Sequence, residues 1–496
     1  MFAVPWTLVG CPAWAAEWNV IPSLSLGETY TDNVALETDA SKRADWVTQV
    51  IPGISVAASG ARLRFDAKYA YEANYYARAH EDKQTYDRLN ASGKAELAEQ
   101  LLFVDAGASI NQYTISLQNP ITLNSVNATG NVATVSSFFV SPHLRRDFGS
   151  DLQAEARMTY SASNSDSSSI DAVAEGIDLR LKSGPAYRLL RWSLDYAWQD
   201  IDYETQDDIS IRKIRVNARR PVSRSVGLLA LGGYEYYESG TLVPESKGLA
   251  WGVGADWVPT PRTRLAATVG ERLYDDAYAF DFQHRTRLTA WSLSYKEEIT
   301  TTHSEFFAPA TTSTAGYLDT LFVPRFPDQE DRQREVEEFT ARTGLPPSLG
   351  APVNFSSNDL FIMKRWQASA GLLGARHVLI ASVFDETREM LFGGSLAPSM
   401  GDFAVSDNIR QTGTSLHWNW RMTARSAWNL GGTYSREEFP DINRVDHLIY
   451  LGLGVTRQFQ PRVSGSLGFR RQQNDSNQSA FGYTENAVFA TLGMSL

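Results

Sequence analysis

The chain has 496 residues, of which 43% are hydrophobic, 21% charged and 11% aromatic. Its 13 Trp, 21 Tyr and 23 Phe exclude a solvated low-complexity coil, and its single cysteine, Cys11, excludes a disulfide scaffold. A net charge of −11, from 46 basic and 57 acidic residues, argues against nucleic acid as a partner. Mean hydropathy is −0.30. No stretch approaches the ~18 consecutive apolar residues of a spanning helix, so a helical membrane protein is excluded too. Bulk numbers alone describe a large soluble protein, but composition is blind to alternation.

The chain opens on an apolar run, Phe2 to Gly10, followed by Ala13-Trp14-Ala15, the small-x-small pattern of a secretory cleavage site. Residues 1–15 are therefore expected to be a signal peptide, with the mature chain starting near Ala16. The usual basic residues before the apolar run are missing. An alternative is Leu8-Val9-Gly10-Cys11, which resembles a lipoprotein lipobox and would make Cys11 a lipidation site.

From Trp18 onward the signal has period two, the mark of strands whose faces meet different environments. Leu63, Phe65, Ala67, Tyr69, Tyr71, Ala73 and Tyr75 alternate with Arg62, Arg64, Asp66, Lys68, Glu72 and Asn74. The pattern recurs at Leu152–Tyr160, Leu190–Trp198, Leu249–Trp257, Leu416–Met422 and Val463–Phe469. About twenty-one such segments are present, most of them about 10 to 16 residues long, whereas strands of soluble sheets run to roughly 5–6. Length and alternation together predict an all-β fold: a transmembrane antiparallel up-and-down barrel of about 22 strands (range about 18–22), occupying 16–496 as one domain.

The connections agree. Short ones carry turn residues at Ser59-Gly60, Ser183-Gly184-Pro185, Arg220-Pro221, Pro259-Thr260-Pro261, Gly374-Ala375-Arg376 and Gln460-Pro461-Arg462. Longer polar ones are expected near 31–44, 113–131, 163–172, 200–209, 238–247, 274–282, 386–407 and 471–482. Outer-membrane barrels distribute periplasmic turns and extracellular loops in this way. Tyr30, Trp46, Tyr75, Trp198, Tyr236, Trp257, Tyr295 and Tyr434 sit where an interface girdle would place them, although ordinary sheet packing favours the same residues. The alternation Val488, Ala490, Leu492, Met494, Leu496 ends the chain on an outward apolar residue.

Strand parity singles out residues 299–358. A closed barrel with both ends in the periplasm needs an even strand count. Counted from either terminus, the strands at 284–298 and 359–372 both descend. Either residues near 311–323 form a crossing strand, or the segment threads the lumen as a plug, or one strand elsewhere has been missed. Within the insert, residues 328–343 read as a short helix: Val336 and Phe339 are spaced i, i+3, acidic residues come early, and Gly344 and Pro346 follow.

Two stretches, Trp18-Asn19-Val20-Ile21-Pro22-Ser23-Leu24-Ser25-Leu26 leading to Tyr30-Thr31-Asp32-Asn33-Val34, and Leu318-Asp319-Thr320-Leu321-Phe322-Val323-Pro324-Arg325-Phe326, resemble the outer-membrane barrels associated with PEP-CTERM/exosortase and exopolysaccharide systems of Gram-negative bacteria. The resemblance implies an outer-membrane, porin-like barrel tied to polysaccharide export or display. It implies no catalytic residues. It makes Phe322, Pro324, Arg325 and Phe326 of the insert residues of interest. The expected partners are membrane lipid and lipopolysaccharide, the barrel-assembly machinery and components of exopolysaccharide export.

The inward faces are rich in arginine: Arg62, Arg64, Arg157, Arg180, Arg215, Arg219, Arg264, Arg365 and Arg421 are the candidate pore lining. A basic wall would favour anionic solutes. The competing reading pairs these arginines with inward Asp66, Glu72, Glu155, Asp178 and Asp195 as structural ladders. No cofactor or metal is expected, since the seven histidines are scattered without H-E-x-x-H or other ligand spacing. No nucleophile elbow or phosphate-binding loop is present, and the chain is read as a non-enzyme. Ser415 and His417, with Asn419, share an inward face and are the single place where a barrel hydrolase could be assembled. The functional expectation is passage of exopolysaccharide-linked cargo or anionic solutes. The alternatives are a non-conducting or polysaccharide-binding surface barrel and, last, a barrel-embedded hydrolase.

Overall fold

The computed structural model describes residues 16–78, 83–166, 171–204, 207–240, 246–307, 314–343, 352–353, 355, 357, 359–391 and 401–495. The signal-peptide and Cys11 expectations, and Leu496 of the terminal pattern, lie outside them.

Period-two alternation becomes one antiparallel sheet of 22 strands. The first seven strands are β1 (Ala16–Thr31), β2 (Asp45–Gly60), β3 (Leu63–Tyr76), β4 (Lys83–Ala98), β5 (Leu102–Thr114), β6 (Val132–Phe148) and β7 (Leu152–Ser165). Then come β8 (Ala172–Ser183), β9 (Arg191–Tyr203), β10 (Ile209–Pro221), β11 (Val226–Ser239), β12 (Ser246–Thr260), β13 (Thr263–Arg272), β14 (Asp275–Arg285) and β15 (Thr289–Thr300). After the insert follow β16 (Phe361–Leu373), β17 (His377–Met390), β18 (Asn408–Thr423), β19 (Ser426–Phe439), β20 (Arg444–Gln460), β21 (Val463–Ser476) and β22 (Tyr483–Ser495).

Each strand pairs with its chain neighbours, and β1 closes on β22 from Ser23↔Ser495 to Thr31↔Ala487. Side chains lock the seam. Thr31 Oγ1 donates to Glu485 at 2.8 Å, while the Asn486 backbone N–H and side-chain amide donate to Asp32 at 2.7 and 2.9 Å. Over Ser23–Thr31 closure leaves no sheet edge, the condition for backbone to cross a bilayer with its hydrogen bonds satisfied, while Ala16–Pro22 extend past the seam paired to β2 alone.

The two faces sort as alternation requires. Outward side chains such as Met158, Val253, Trp251, Leu249 and Leu467 are at least half exposed, and Leu249 is 76% exposed. Leaving such side chains in water would forfeit about 1.5–3 kcal/mol each, and soluble proteins rarely expose apolar patches beyond a few hundred Å². This belt is the surface that a bilayer covers. Aromatics mark two levels of it. Tyr30 and Trp46 are register partners with ring centroids 5.1 Å apart near the long-loop end, while Trp18, Trp257 and Trp291 are exposed near the short-turn end.

The turn end is built as the turn residues predict. At Gly184 a Cβ would stand 2.2 Å from the Ser150 carbonyl oxygen, and the Gly184 N–H donates to Asp151 O at 2.7 Å. Two neighbouring turns meet there, and only glycine fits.

One connection differs from expectation. Residues 274–282 are not a long loop but most of β14, joined to β13 by a tight turn at Leu273-Tyr274. This is the strand that the parity argument lacked. Its acidic start, Asp275-Asp276, and its small inward residues Ala277 and Ala279 disguise it. The strand over 289–300 consequently ascends, and no crossing strand is needed near 311–323. Residues 314–322 of that segment are instead helical.

Among the described residues, the insert between β15 and β16 forms three helices: α1 (Thr302–Phe307), α2 (Thr314–Phe322) and α3 (Gln329–Thr343). It leaves β15 at the long-loop end and turns into the barrel. The Tyr317 hydroxyl donates to the Ala290 carbonyl at 2.6 Å, at the turn end of β15. The described helices of the insert therefore reach from the loop end, at α1, to the turn end, at α2.

Candidate functional site: the lumen

The helical hairpin owes its place to complementary apolar faces. Leu318, Leu321, Phe322, Val336 and Phe339 pack with one another and with Ala290, Leu373, Val378 and Ile380 on the inner wall. A water-filled lumen would place polar residues at those wall positions; apolar ones there are explained by the hairpin that covers them. Val336 and Phe339, the i, i+3 pair read in the sequence, are both buried in this cluster. Arg332 bridges the helices, donating from Nε to Asp319 at 2.7 Å and from Nη1 to Phe326 O at 2.9 Å. Across the lumen, Lys68 on β3 meets Glu337 on α3 at 3.3 Å, a solvent-exposed pair worth at most ~1 kcal/mol.

Toward the loop end the lumen is packed. One apolar cluster joins Leu36, Leu117, Ile121, Phe355, Phe361, Phe403, Phe439, Leu448 and Tyr483, drawn from several loops and strand ends. A second joins Ile201, Tyr203, Ile209, Ile211 and Tyr237 to Ile299, Leu360 and Ile362. The connection 115–131 folds inward and is latched by Asp402, a buried carboxylate. It accepts from the Ser116 hydroxyl, from the Leu117 N–H at 2.7 Å and from the Gln118 amide at 3.2 Å. Burial pushes the Asp402 carboxyl above its ordinary value, and these donors oppose that shift. His303 of α1 is buried between the Ser161 and Ser163 hydroxyls, at 3.2 and 2.9 Å, and burial lowers its pKa to about 4. Asp359, ahead of β16, is raised by burial to about 6, with the Ser357 hydroxyl holding it back.

The predicted arginines are inward, but they do not form an open basic wall. Arg157 pairs with Asp105 at 2.9 Å and Glu155 at 3.4 Å, Arg180 with Asp195 at 2.5 Å, and Arg62 with Glu99 at 3.0 Å. Arg215 meets Glu235 at 2.6 Å, Arg219 grips Asp256 with two bonds of 2.6 and 2.7 Å, and Arg365 pairs with Glu386. Six of the nine thus join carboxylates in an ion-pair lattice, the ladder alternative of the sequence. In a barrel wall an inward arginine has an inward neighbour across each strand pair, and a carboxylate there satisfies it at the lowest desolvation cost. Arg64 also points inward from β3. Arg264 and Arg421 differ: each lines a cavity at the turn end.

Two cavities flank the hairpin on the β17–β22 side. The one nearer the turns holds about 850 Å³ and is lined by Arg325, Arg376, Arg421, Arg425 and Arg462 together with Phe322, Phe326 and Phe339. The other holds about 930 Å³ and rises to Leu123, Asn124 and Ser125 under the inward-folded connection. Their walls share Ser25, Phe339, Thr343, Asn419, Thr456 and Ser464. Of the insert residues singled out in the sequence, Phe322, Arg325 and Phe326 line the lower cavity; Pro324 ends α2 beside them. Arg376, Arg425 and Arg462 escaped the sequence reading because they sit in turns. Their signal was a basic residue beside a turn former, as in Gln460-Pro461-Arg462.

The Ser415, His417 and Asn419 constellation faces the upper cavity, yet the Ser415 hydroxyl bonds Ser382 at 2.7 Å, and Asn419 donates to Asn429 at 2.7 Å. No nucleophile–base contact is made there. Burial depresses His303, but its partners are hydroxyls of the wall. Among the described residues, no group of three His, Cys, Asp or Glu side chains is placed to hold a metal ion.

Fold and lumen together define a closed 22-strand antiparallel barrel with an apolar outer belt and an internal helical hairpin. No protein-family model and no curated protein sequence matches the chain. Among solved structures it is similar to the siderophore receptor PirA from Acinetobacter baumannii, at 8% identity and a TM-score of 0.45, covering 96% of this chain and 80% of that one. It is also similar to a mutant ferric enterobactin receptor PfeA from Pseudomonas aeruginosa in complex with enterobactin, at 9% identity, TM-score 0.49, and 96% and 81% coverage. A third is Pseudomonas aeruginosa OccK2 (OpdF), at 8% identity, TM-score 0.35, and 96% and 98% coverage. These likenesses lie in overall shape and say nothing of what this chain carries.

Proposed function

We propose that this protein is an outer-membrane barrel of a Gram-negative bacterium that passes exopolysaccharide-linked or other anionic cargo, with a lumen gated by its own insert and loops. The observation that carries the reading is the pair of adjoining cavities rising from the turn end beside the α2–α3 hairpin. The short-turn end is then periplasmic and the long-loop end external, as in barrels whose termini both lie in the periplasm. The sequence resemblance to PEP-CTERM/exosortase-associated barrels at residues 18–34 and 318–326 supports the exopolysaccharide link. Packed loop clusters at the external end make the resting barrel narrow, so opening requires the hairpin or the inward connection to move.

Planar-bilayer conductance tests this. The wild-type protein should show small, infrequent, anion-preferring openings, and a variant with residues 302–343 replaced by a short glycine-serine linker should conduct steadily. Silence from both would remove the conduit reading. The packed external clusters favour the second reading, a non-conducting barrel whose loops bind polysaccharide, and that outcome would leave it standing. For the export link, a deletion strain should lose secreted polysaccharide; unchanged secretion would discard it.

A further inference from the structure

Cationic side chains are treated differently at the two ends of the lumen. Toward the loop end they are neutralised: Arg388 by Glu386 and Glu305, Arg444 by Asp446, Arg470 by Glu485, and Arg272 by Glu235. Around the lower cavity the pattern stops. Arg325, Arg376, Arg421, Arg425 and Arg462 line a single space of about 850 Å³, with Glu335 the one carboxylate side chain in its lining. None of these five forms an ion pair with a described residue; Arg421 donates from Nη2 to the Ala375 carbonyl at 3.1 Å. The five come from four separate segments, namely the end of α2 and the turns after β16, β18 and β20 with the β18 end. Their convergence is therefore a product of the barrel and not of a local basic run. Five guanidinium groups gathered around a single carboxylate repel one another, and a protein that pairs its arginines elsewhere leaves these for an external anion.

The cavity above has another chemistry. Its inward wall presents Ser415, Asn429, Thr433, Thr456, Ser466 and Thr491, all neutral hydroxyls and amides able both to donate and to accept. Its one charged lining residue, Arg88, is paired with Glu72 at 2.9 Å, so the lining suits a chain of hydroxyl groups and offers no unpaired charge to hold it fast. We infer that the periplasmic vestibule is a binding site for an acidic oligosaccharide, whose carboxylate or phosphate groups the five arginines engage while its hydroxyl-bearing rings enter the neutral lane above. This deepens the conduit reading by naming the cargo's charge and chemistry, and it rests on that reading for direction of travel.

The test is equilibrium binding by calorimetry to the full-length protein in neutral detergent, with a linear hexamer of galacturonic acid as probe and a neutral glucose hexamer of equal length beside it. The acidic hexamer should bind about tenfold tighter than the neutral one, and its affinity should fall steeply as salt is raised. The combined variant Arg376→Gln, Arg421→Gln, Arg425→Gln should weaken acidic binding about tenfold, whereas Arg410→Gln, which breaks a pair with Asp385 on the outward face near the loop end, should leave it unchanged. Heat-modifiable gel migration certifies that each variant is folded. Equal binding of the neutral hexamer, or unchanged binding by the triple variant, would overturn the inference. The same phosphate chemistry is offered by phospholipid headgroups. The measurement is therefore repeated in nanodiscs with and without phosphatidylglycerol. Binding that persists in both supports the glycan site, and binding abolished by the anionic lipid assigns the arginines to headgroups and overturns it. A protein that binds the hexamer but never conducts would refute the conduit reading alone.

Discussion

At the scale of single residues, the lumen is held by a few side chains whose surroundings set their behaviour. His303 is the clearest. Its folded pKa lies near 4, below the ordinary 6.5 of an unfolded chain, so the unfolded state takes up its proton first as pH falls. The contribution of neutral His303 to the docking of α1 is complete above about pH 6.5 and is lost progressively toward pH 4, reaching about 2 kcal/mol of destabilisation near pH 5. Hydrogen exchange of the α1 amides should accelerate between pH 7 and 5 in the wild type, after correction for intrinsic rates. It should do so far less in His303→Asn. Asp359 has the opposite sign, since a carboxyl raised to about 6 favours the fold as pH falls, and the paired comparison cancels it. Tyr317→Phe removes one buried hydrogen bond to the wall and should cost about 1 kcal/mol of hairpin docking. Leu318→Ala empties a fully buried position and should cost about 2–5 kcal/mol, read as more frequent current openings while the barrel remains heat-modifiable.

At the scale of elements, the helices show what alternation and periodicity could and could not disclose. The α3 helix is legible in the sequence: Val336 and Phe339 are spaced to share a face, and both are buried in the hairpin cluster; Gly344 and Pro346, read as its stop, lie outside the described residues. The α2 helix was not, because Leu318, Leu321 and Phe322 lie within a run whose apolar residues also fit a strand, and parity appeared to require one. The tie is broken by the wall, where Ala290, Leu373, Val378 and Ile380 supply apolar partners inside the barrel. Strand β14 was lost for the converse reason. Tyr278, Phe280 and Phe282 alternate correctly, but with Asp275 and Asp276 ahead of them they read as a loop. The inward connection 115–131 is a further element decided by tertiary contact, held by a carboxylate almost three hundred residues away. Asp402→Ala should release it, at a cost of about 1–3 kcal/mol, because the Ser116, Leu117 and Gln118 donors lose their shared acceptor. Faster proteolysis within 115–131 in the purified variant is the expected readout, and an unchanged digestion pattern would show that the latch is dispensable.

At the scale of the whole molecule, closure makes the barrel one cooperative object. Every strand has two neighbours, so no strand can leave without breaking two ladders. The folded protein in an unboiled gel sample should migrate as a compact species and shift on boiling; identical migration in a soluble fraction would contradict the architecture. Charge is also organised at this scale. The net −11 is compatible with a basic vestibule because the acidic residues occupy the ion-pair lattice and the loops.

What the sequence determined by itself is the kind of surface each strand presents, since a residue's face follows from the parity of its position. From that alone came the barrel, its approximate strand number, the turn and loop ends, and the inward placement of the arginines. What only the tertiary structure decided is which inward residues meet. Pairing of Arg219 with Asp256, packing of α2 on the turn end of β15 and gathering of Arg325, Arg376, Arg421, Arg425 and Arg462 around one cavity all depend on register and on the path of the insert. Sequence fixes direction locally, through the two-residue repeat of the strand, while proximity across a lumen is set by closure, which no local pattern encodes.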